Sequence, residues 1–127
     1  MNNKSTTFSL AGRLRSSVHA GEGIVEMLRS QHNAWVELVA TIGVTAAGWL
    51  FGVTAVEWCL LILVMMVVWV AEALNTAIEF LCDVASPEFH PLVKKSKDVA
   101  AGAVLLSVVG AAVVGAIIFL PYLLDLL

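Results

Sequence analysis

Charge is scarce in this chain. Only 13% of its 127 residues are Asp, Glu, Lys or Arg, against 60% hydrophobic residues. So few polar groups cannot wet the surface of a soluble domain of this size, so the composition and a mean hydropathy of +0.92 point to the membrane class. Cysteine is scarce as well. Cys59 and Cys82 both sit in apolar runs, with no CxxC spacing, which excludes a disulfide scaffold and a thiolate metal cage. There is no Walker A sequence and no Gly-rich phosphate loop, so a nucleotide site of the soluble kinase types is excluded. The formal net charge of −3 gives no reason to expect nucleic acid. Repeats and low-complexity tracts are absent. The polar first residues lack the short apolar stretch and cleavage site of a secretory signal peptide.

The apolar residues are gathered into three uncharged or nearly uncharged runs, about 38–56, 58–82 and 99–124. Each approaches or exceeds the roughly 20 residues that cross a bilayer's hydrocarbon core. All seven Lys and Arg fall on one side: Lys4, Arg13, Arg15 and Arg29 before the first run, and Lys94, Lys95 and Lys97 between the second and third. The basic side is the cytoplasmic side, so the N-terminus is expected in the cytoplasm and the C-terminus outside. Trp49, Trp58 and Tyr122 read as interfacial anchors near the outer ends. Upstream, Phe8, Leu10, Leu14, Val18, Ile24 and Met27 interleave with Arg13, Arg15, Glu22, Glu26 and Arg29. That pattern predicts an amphipathic helix over about 8–30 lying on the membrane surface, with Gly21 and Gly23 breaking or bending it. Pro87 and Pro91 predict a cytoplasmic loop over 86–96. The expected fold is therefore an all-α membrane protein in one domain, residues 1–127. It has a surface helix and three transmembrane helices over about 33–56, 57–83 and 98–124.

One stretch breaks the apolar rule. "EALNTAIEFLCD", residues 72–83, puts Glu72, Asn75, Glu79 and Asp83 at the cytoplasmic end of the second membrane helix. At about 100° per residue the four fall within an arc of roughly 80°, so they form one polar stripe. A charged side chain at a bilayer's centre costs about 2.5–3.5 kcal/mol on insertion scales, and such a residue marks function by default. Two carboxylates and an amide suit a hard divalent cation such as Mg²⁺, which takes oxygen ligands and keeps water or phosphate oxygens. Nearby, "KKSKD" offers Lys97 to pair a phosphate and Asp98 to cap the third helix and orient that lysine. Acid, metal and lysine at one interface suggest phosphoryl transfer. A proton-coupled transporter also carries buried acids, but three spans without an inverted repeat fit that reading poorly.

"EALNTAIEFLCD", "SPEFHP" and "KSKDVAAGAVLL" together strongly resemble the prokaryotic diacylglycerol kinase and undecaprenol kinase family, with likeness over about residues 8–121. The resemblance implies a small integral membrane lipid kinase, working as a homotrimer on ATP, Mg²⁺ and a membrane lipid acceptor in the bacterial inner membrane, with its site at the cytoplasmic face. It assigns Glu72 as general base and Asn75 as an orienting amide. Glu79 becomes a metal ligand, and Lys97, Asp98, Glu88, His90 and Asp83 become nucleotide-side residues. Where the family's "ERN"-like element usually supplies a second metal-binding glutamate, this chain reads "SQHNAW", so Gln31 stands in that glutamate's place. The amide carries a carbonyl oxygen but no charge, and Glu37 is the acidic residue nearby that would compensate. "LNTAIE" and "SPEFHPL" lean towards undecaprenol rather than diacylglycerol as acceptor. The alternative that Gln31 keeps open is a catalytically impaired homologue acting as a membrane binding or scaffold protein.

Overall fold

The structure is a computed structural model that describes residues 7–127. Lys4, one of the basic residues used to orient the chain, lies outside the described residues. Four helices follow one another: α1 Leu10–Ser30, α2 His32–Phe51, α3 Ala55–Ala85 and α4 Pro91–Leu124. The last three are long and apolar enough to cross a membrane. Among the described residues there is no strand.

α1 starts at Ser9, whose Oγ accepts from the Gly12 N–H at 3.2 Å. It then runs unbroken to Ser30. The expected break at Gly21 and Gly23 does not occur, since an isolated glycine costs a helix only about 1 kcal/mol against alanine. Leu10, Leu14 and Val18 lie exposed along this helix, spaced to enter an interfacial layer, and Met27 is its buried residue. Gln31 alone separates α1 from α2, in extended backbone at φ −117° and ψ 118°.

At the opposite end α2 closes on Gly52, which takes a left-handed φ of 62° that a side chain would resist. Thr54 then opens α3 through a reciprocal capping box. The Thr54 Oγ1 accepts from the Glu57 N–H, and the Glu57 carboxylate accepts from the Thr54 N–H. The same carboxylate accepts the Tyr122 hydroxyl at 2.6 Å, which ties the start of α3 to the end of α4. Val53, Leu61 and Ile118 form the buried core beneath this tie, with Phe51, Trp58 and Phe119 packed against them. Trp58 also lies over Gly48 so closely that a Cβ there would sit 2.5 Å from the ring.

α3 and α4 pack along their lengths as an antiparallel pair, and α2 leans on α3. Trp69 Nε1 donates to Thr41 Oγ1 at 3.0 Å, fastening that contact in the middle of the span. Two sequence expectations are revised by where α4 begins. The expected loop over 86–96 shrinks to Ser86–His90, because Pro91 takes the first helical position, where its missing N–H costs nothing. The helix expected from about 98 therefore starts at Pro91, two turns earlier. Its cap is His90, whose Nδ1 accepts from the Leu92 N–H at 3.1 Å. Asp98, the expected cap, lies inside the helix.

At 31 and 34 residues, α3 and α4 are about 46 and 51 Å long. Both exceed a hydrocarbon core of about 30 Å. If Trp58 marks the outer boundary, Glu72 lies about 21 Å in and Asp83 about 37 Å in. The polar stripe thus begins inside the hydrocarbon and ends beyond it.

Candidate functional site

The stripe is graded. Glu72 is wholly buried, Asn75 is 5% exposed, Glu79 is half-buried and Asp83 is exposed. Burial follows depth along α3: the residues nearer the middle of the helix are enclosed and those nearer its C-terminal end are open. Thr76 belongs to the same buried stretch, but its hydroxyl donates to the Glu72 carbonyl one turn back and so offers no free donor.

Gln31 reaches this stripe. The extended backbone between α1 and α2 aims its side chain at α3, and Nε2 donates to Glu79 Oε2 at 2.7 Å. From one turn earlier on α3, Asn75 Nδ2 donates to Glu79 Oε1 at 3.3 Å. Glu79 is thereby held by two amides, one on each oxygen. Rotating either amide about its terminal torsion would replace its donor by a carbonyl oxygen. Among the described residues no three His, Cys, Asp or Glu side chains converge as a complete metal cage. With both amides turned, the set that converges here would be all oxygen, one carboxylate with two amide carbonyls. That fits a hard cation such as Mg²⁺, which takes most of its remaining ligands from water and phosphate.

Glu37 stands apart from this cluster. It is 8% exposed on α2 and lines a groove of about 530 Å³ together with Thr41, Glu72, Asn75, Val104 and Val108. Both Glu72 oxygens, Glu37 Oε2 and Asn75 Oδ1 are buried with no hydrogen-bond partner among the described residues. Buried polar atoms are almost always paired, and Glu37 and Glu72 face each other closely enough for one proton held between the two carboxyls to pair them. The structure thus places Glu37 beside Glu72 rather than beside Gln31 and Glu79.

The exposed end of the stripe holds the basic groups. Lys97 Nζ donates to Asp83 Oδ1 at 2.6 Å, bridging α4 to the exposed end of the stripe. Asp98 does not orient Lys97. It pairs with Lys94 at 2.6 Å, one turn back on α4, because residues four apart share a helix face and adjacent ones do not. Glu88 is exposed in the short loop, where the Ser86 hydroxyl donates to its backbone carbonyl at 2.8 Å. His90, exposed in the same loop, is occupied as the α4 cap.

The arrangement therefore brings together Gln31, Asn75 and Glu79 in one cluster, Glu37, Glu72 and Asn75 in a second, and Asp83 with Lys97 in a third. Asn75 belongs to the first two. Glu88, His90 and Asp98 stay on the rim. Sequence reasoning missed the Tyr122–Glu57 tie, although "TAVE" at 54–57 is a legible capping box. It also missed the groove along α4.

The chain is similar to known proteins. The sequence profile of the prokaryotic diacylglycerol kinase family matches residues 18–119. The undecaprenol kinase of Bacillus subtilis (strain 168) is 39% identical over 109 residues, which cover 86% of this chain and 89% of that protein. The diacylglycerol kinase of Synechocystis is 34% identical over 110 residues. That match covers 86% of this chain but only 63% of the relative. The diacylglycerol kinase of Escherichia coli (strain K12) is 38% identical over 72 residues, 57% of this chain and 58% of that protein.

Proposed function

The chain belongs to the prokaryotic diacylglycerol kinase family and is a membrane lipid kinase, and on that premise we propose that it transfers the γ-phosphate of Mg·ATP to the hydroxyl of a membrane lipid, undecaprenol in preference to diacylglycerol. The observation that carries this reading is Glu72, fully buried and with both oxygens unpartnered. A buried carboxylate without a partner is a base waiting for a proton donor, and a lipid hydroxyl is the donor a membrane supplies. As the hydroxyl oxygen bonds to the γ-phosphorus, the bond from that phosphorus to the bridging oxygen breaks, and the proton passes to Glu72. Asn75 orients the reacting groups between Glu72 and Glu79. Glu79, with the amides of Gln31 and Asn75, would hold the metal, whose charge offsets that of the phosphates. Lys97 would leave Asp83 for a phosphate, a stronger partner than one exposed carboxylate. Glu88, His90 and Asp98 on the rim would flank the nucleotide, and Glu37 would share the acidic groove with Glu72.

The undecaprenol preference rests on the Bacillus relative, matched over nearly its full length at the higher identity. The basic residues between α3 and α4 support a cytoplasmic active site in the bacterial inner membrane, with the N-terminus on the same side. A homotrimer is the assembly proposed. What supports it is how few side chains the single chain buries. A lipid panel with Mg·ATP tests the function: wild type should phosphorylate undecaprenol faster than dioleoylglycerol, and Glu72→Gln should be slowed about 100-fold or more on both. Equal transfer by Glu72→Gln would remove Glu72 from the reaction.

A further inference from the structure

Glu37 and Glu72 come from different helices and meet in one groove. Glu37 is 8% exposed on α2, and Glu72 is wholly buried on α3. Glu37 Oε2 and both oxygens of Glu72 are sealed from solvent, and the two side chains lie within reach of a shared proton. The donors around them are committed elsewhere. Thr41 and Thr76 turn their hydroxyls back to the carbonyls of Glu37 and Glu72, at 2.7 and 2.8 Å. Trp69 Nε1 donates to Thr41 Oγ1, and Asn75 Nδ2 to Glu79. No basic residue compensates the pair either. α4 lines the groove with aliphatic residues such as Ala101, Val104 and Val108, and α1 lines none of it. The other charge that bears on Glu72 is Glu79, two turns along α3 and of the same sign. Two carboxyls in contact, away from water and without a countercharge, do not both ionise, so one proton is held between them.

Building on the lipid kinase reading above, in which Glu72 takes the proton of the acceptor hydroxyl, we propose that Glu37 is its positioning residue: a neutral acid that donates to one oxygen of Glu72 and leaves the other for the acceptor. The shared proton can sit on either carboxyl. With it on Glu37, Glu72 is the ionised base. Without that donor an ionised Glu72 would be buried and uncompensated, which disfavours the very form that can accept a proton. As the acceptor oxygen bonds to the γ-phosphorus and the bond to the bridging oxygen breaks, the hydroxyl proton goes to the free oxygen of Glu72. The proton on Glu37 stays where it is. The pair then holds two protons, and one leaves before the next turnover.

Two variants of the full-length protein in lipid nanodiscs separate a donor from a charge. Glu37→Leu puts an apolar group of similar size in place of the donor. It should lower kcat roughly tenfold to hundredfold, the scale of one lost hydrogen bond to a charged group, and leave the KM for ATP and for lipid little changed. Glu37→Gln keeps an N–H and should recover most of that loss, with no change in the free Mg²⁺ needed for half-maximal activity. A Gln variant as slow as the Leu variant, or one that needs more Mg²⁺, overturns the proposal, because Glu37 would then act through its charge. A Leu variant as fast as wild type also overturns it. A second measurement needs neither turnover nor the Leu variant. In infrared difference spectra at neutral pH with Mg²⁺ present, wild type minus the Glu37→Gln/Glu72→Gln double variant should show one protonated carboxyl beside one carboxylate. Two carboxylates overturn the pairing. A protonated carboxyl in a wild-type protein that phosphorylates no lipid would instead refute the reading of Glu72 as the base and leave the pairing standing.

Discussion

Gln31→Glu is the most informative perturbation of the metal site. In the structure the Gln31 amide donates to Glu79 Oε2 at 2.7 Å. The substitution removes that donor, and a hydrogen bond to a charged group is worth about 1.5–3 kcal/mol. It also sets two carboxylates facing each other. At a relaxed separation of about 4 Å, their repulsion is about 4 kcal/mol at an effective dielectric of 20 and about 1 kcal/mol in water. Both residues are half-buried, so about 2 kcal/mol is a fair discounted figure. A divalent cation between the two carboxylates reverses the sign of that interaction. The variant should therefore be less thermostable than wild type in EDTA and should gain more from Mg²⁺. About 2 kcal/mol corresponds to roughly thirtyfold in the free Mg²⁺ needed for half-maximal activity. The assay is lipid phosphorylation at fixed Mg·ATP with free Mg²⁺ titrated, paired with thermal unfolding in EDTA and in Mg²⁺. An unchanged Mg²⁺ requirement and an unchanged Mg²⁺-dependent shift in unfolding temperature would refute the reasoning, because Gln31 and Glu79 would then not share a metal.

Other substitutions separate the remaining roles. Glu72→Gln should lower kcat by about 10²–10⁴, the usual range for a general base, with unfolding temperature unchanged or raised because a buried orphan charge is removed. A loss of stability without a loss of kcat would make Glu72 structural. Lys97→Met should raise the KM for ATP roughly tenfold or more and leave the lipid KM alone, as expected for one charge-assisted phosphate contact. A matched rise in both constants would show that the Asp83 bridge serves the fold instead. Gly48→Ala drives a Cβ to 2.5 Å from the Trp58 ring and should cost about 1–3 kcal/mol by overpacking. Unfolding in detergent measures this, and adding Trp58→Leu should recover most of the loss.

Several features were legible in the residues because they depend on local composition and period. The three spans follow from uncharged runs of sufficient length, and the surface helix from its interleaved apolar and basic residues. The 72–83 stripe follows from helical spacing alone. Boundaries were less legible: Pro91 reads equally as a loop residue and as the first residue of a helix, and His90 as its cap is visible only once the Leu92 N–H is seen to need a partner. The site was half legible. Glu72, Asn75 and Glu79 lie on one helix, so periodicity grouped them. Gln31 lies 48 residues from Glu79 in the chain; no period connects residues across a helix break, and only the family resemblance put the two at one metal.

What the sequence by itself determined is therefore the class of the protein, its spans, and the single polar face inside the membrane, since each arises from the period and hydropathy of one helix. Only the tertiary structure decided which acidic residue stands where. It set Glu79 against Gln31, Glu37 in the groove with Glu72, and Lys97 on Asp83 while Asp98 turned to Lys94. It also opened a chain-wide groove along the small residues of α4. These choices depend on how helices from distant parts of the chain are packed and rotated against one another, and a one-dimensional pattern carries no record of that rotation.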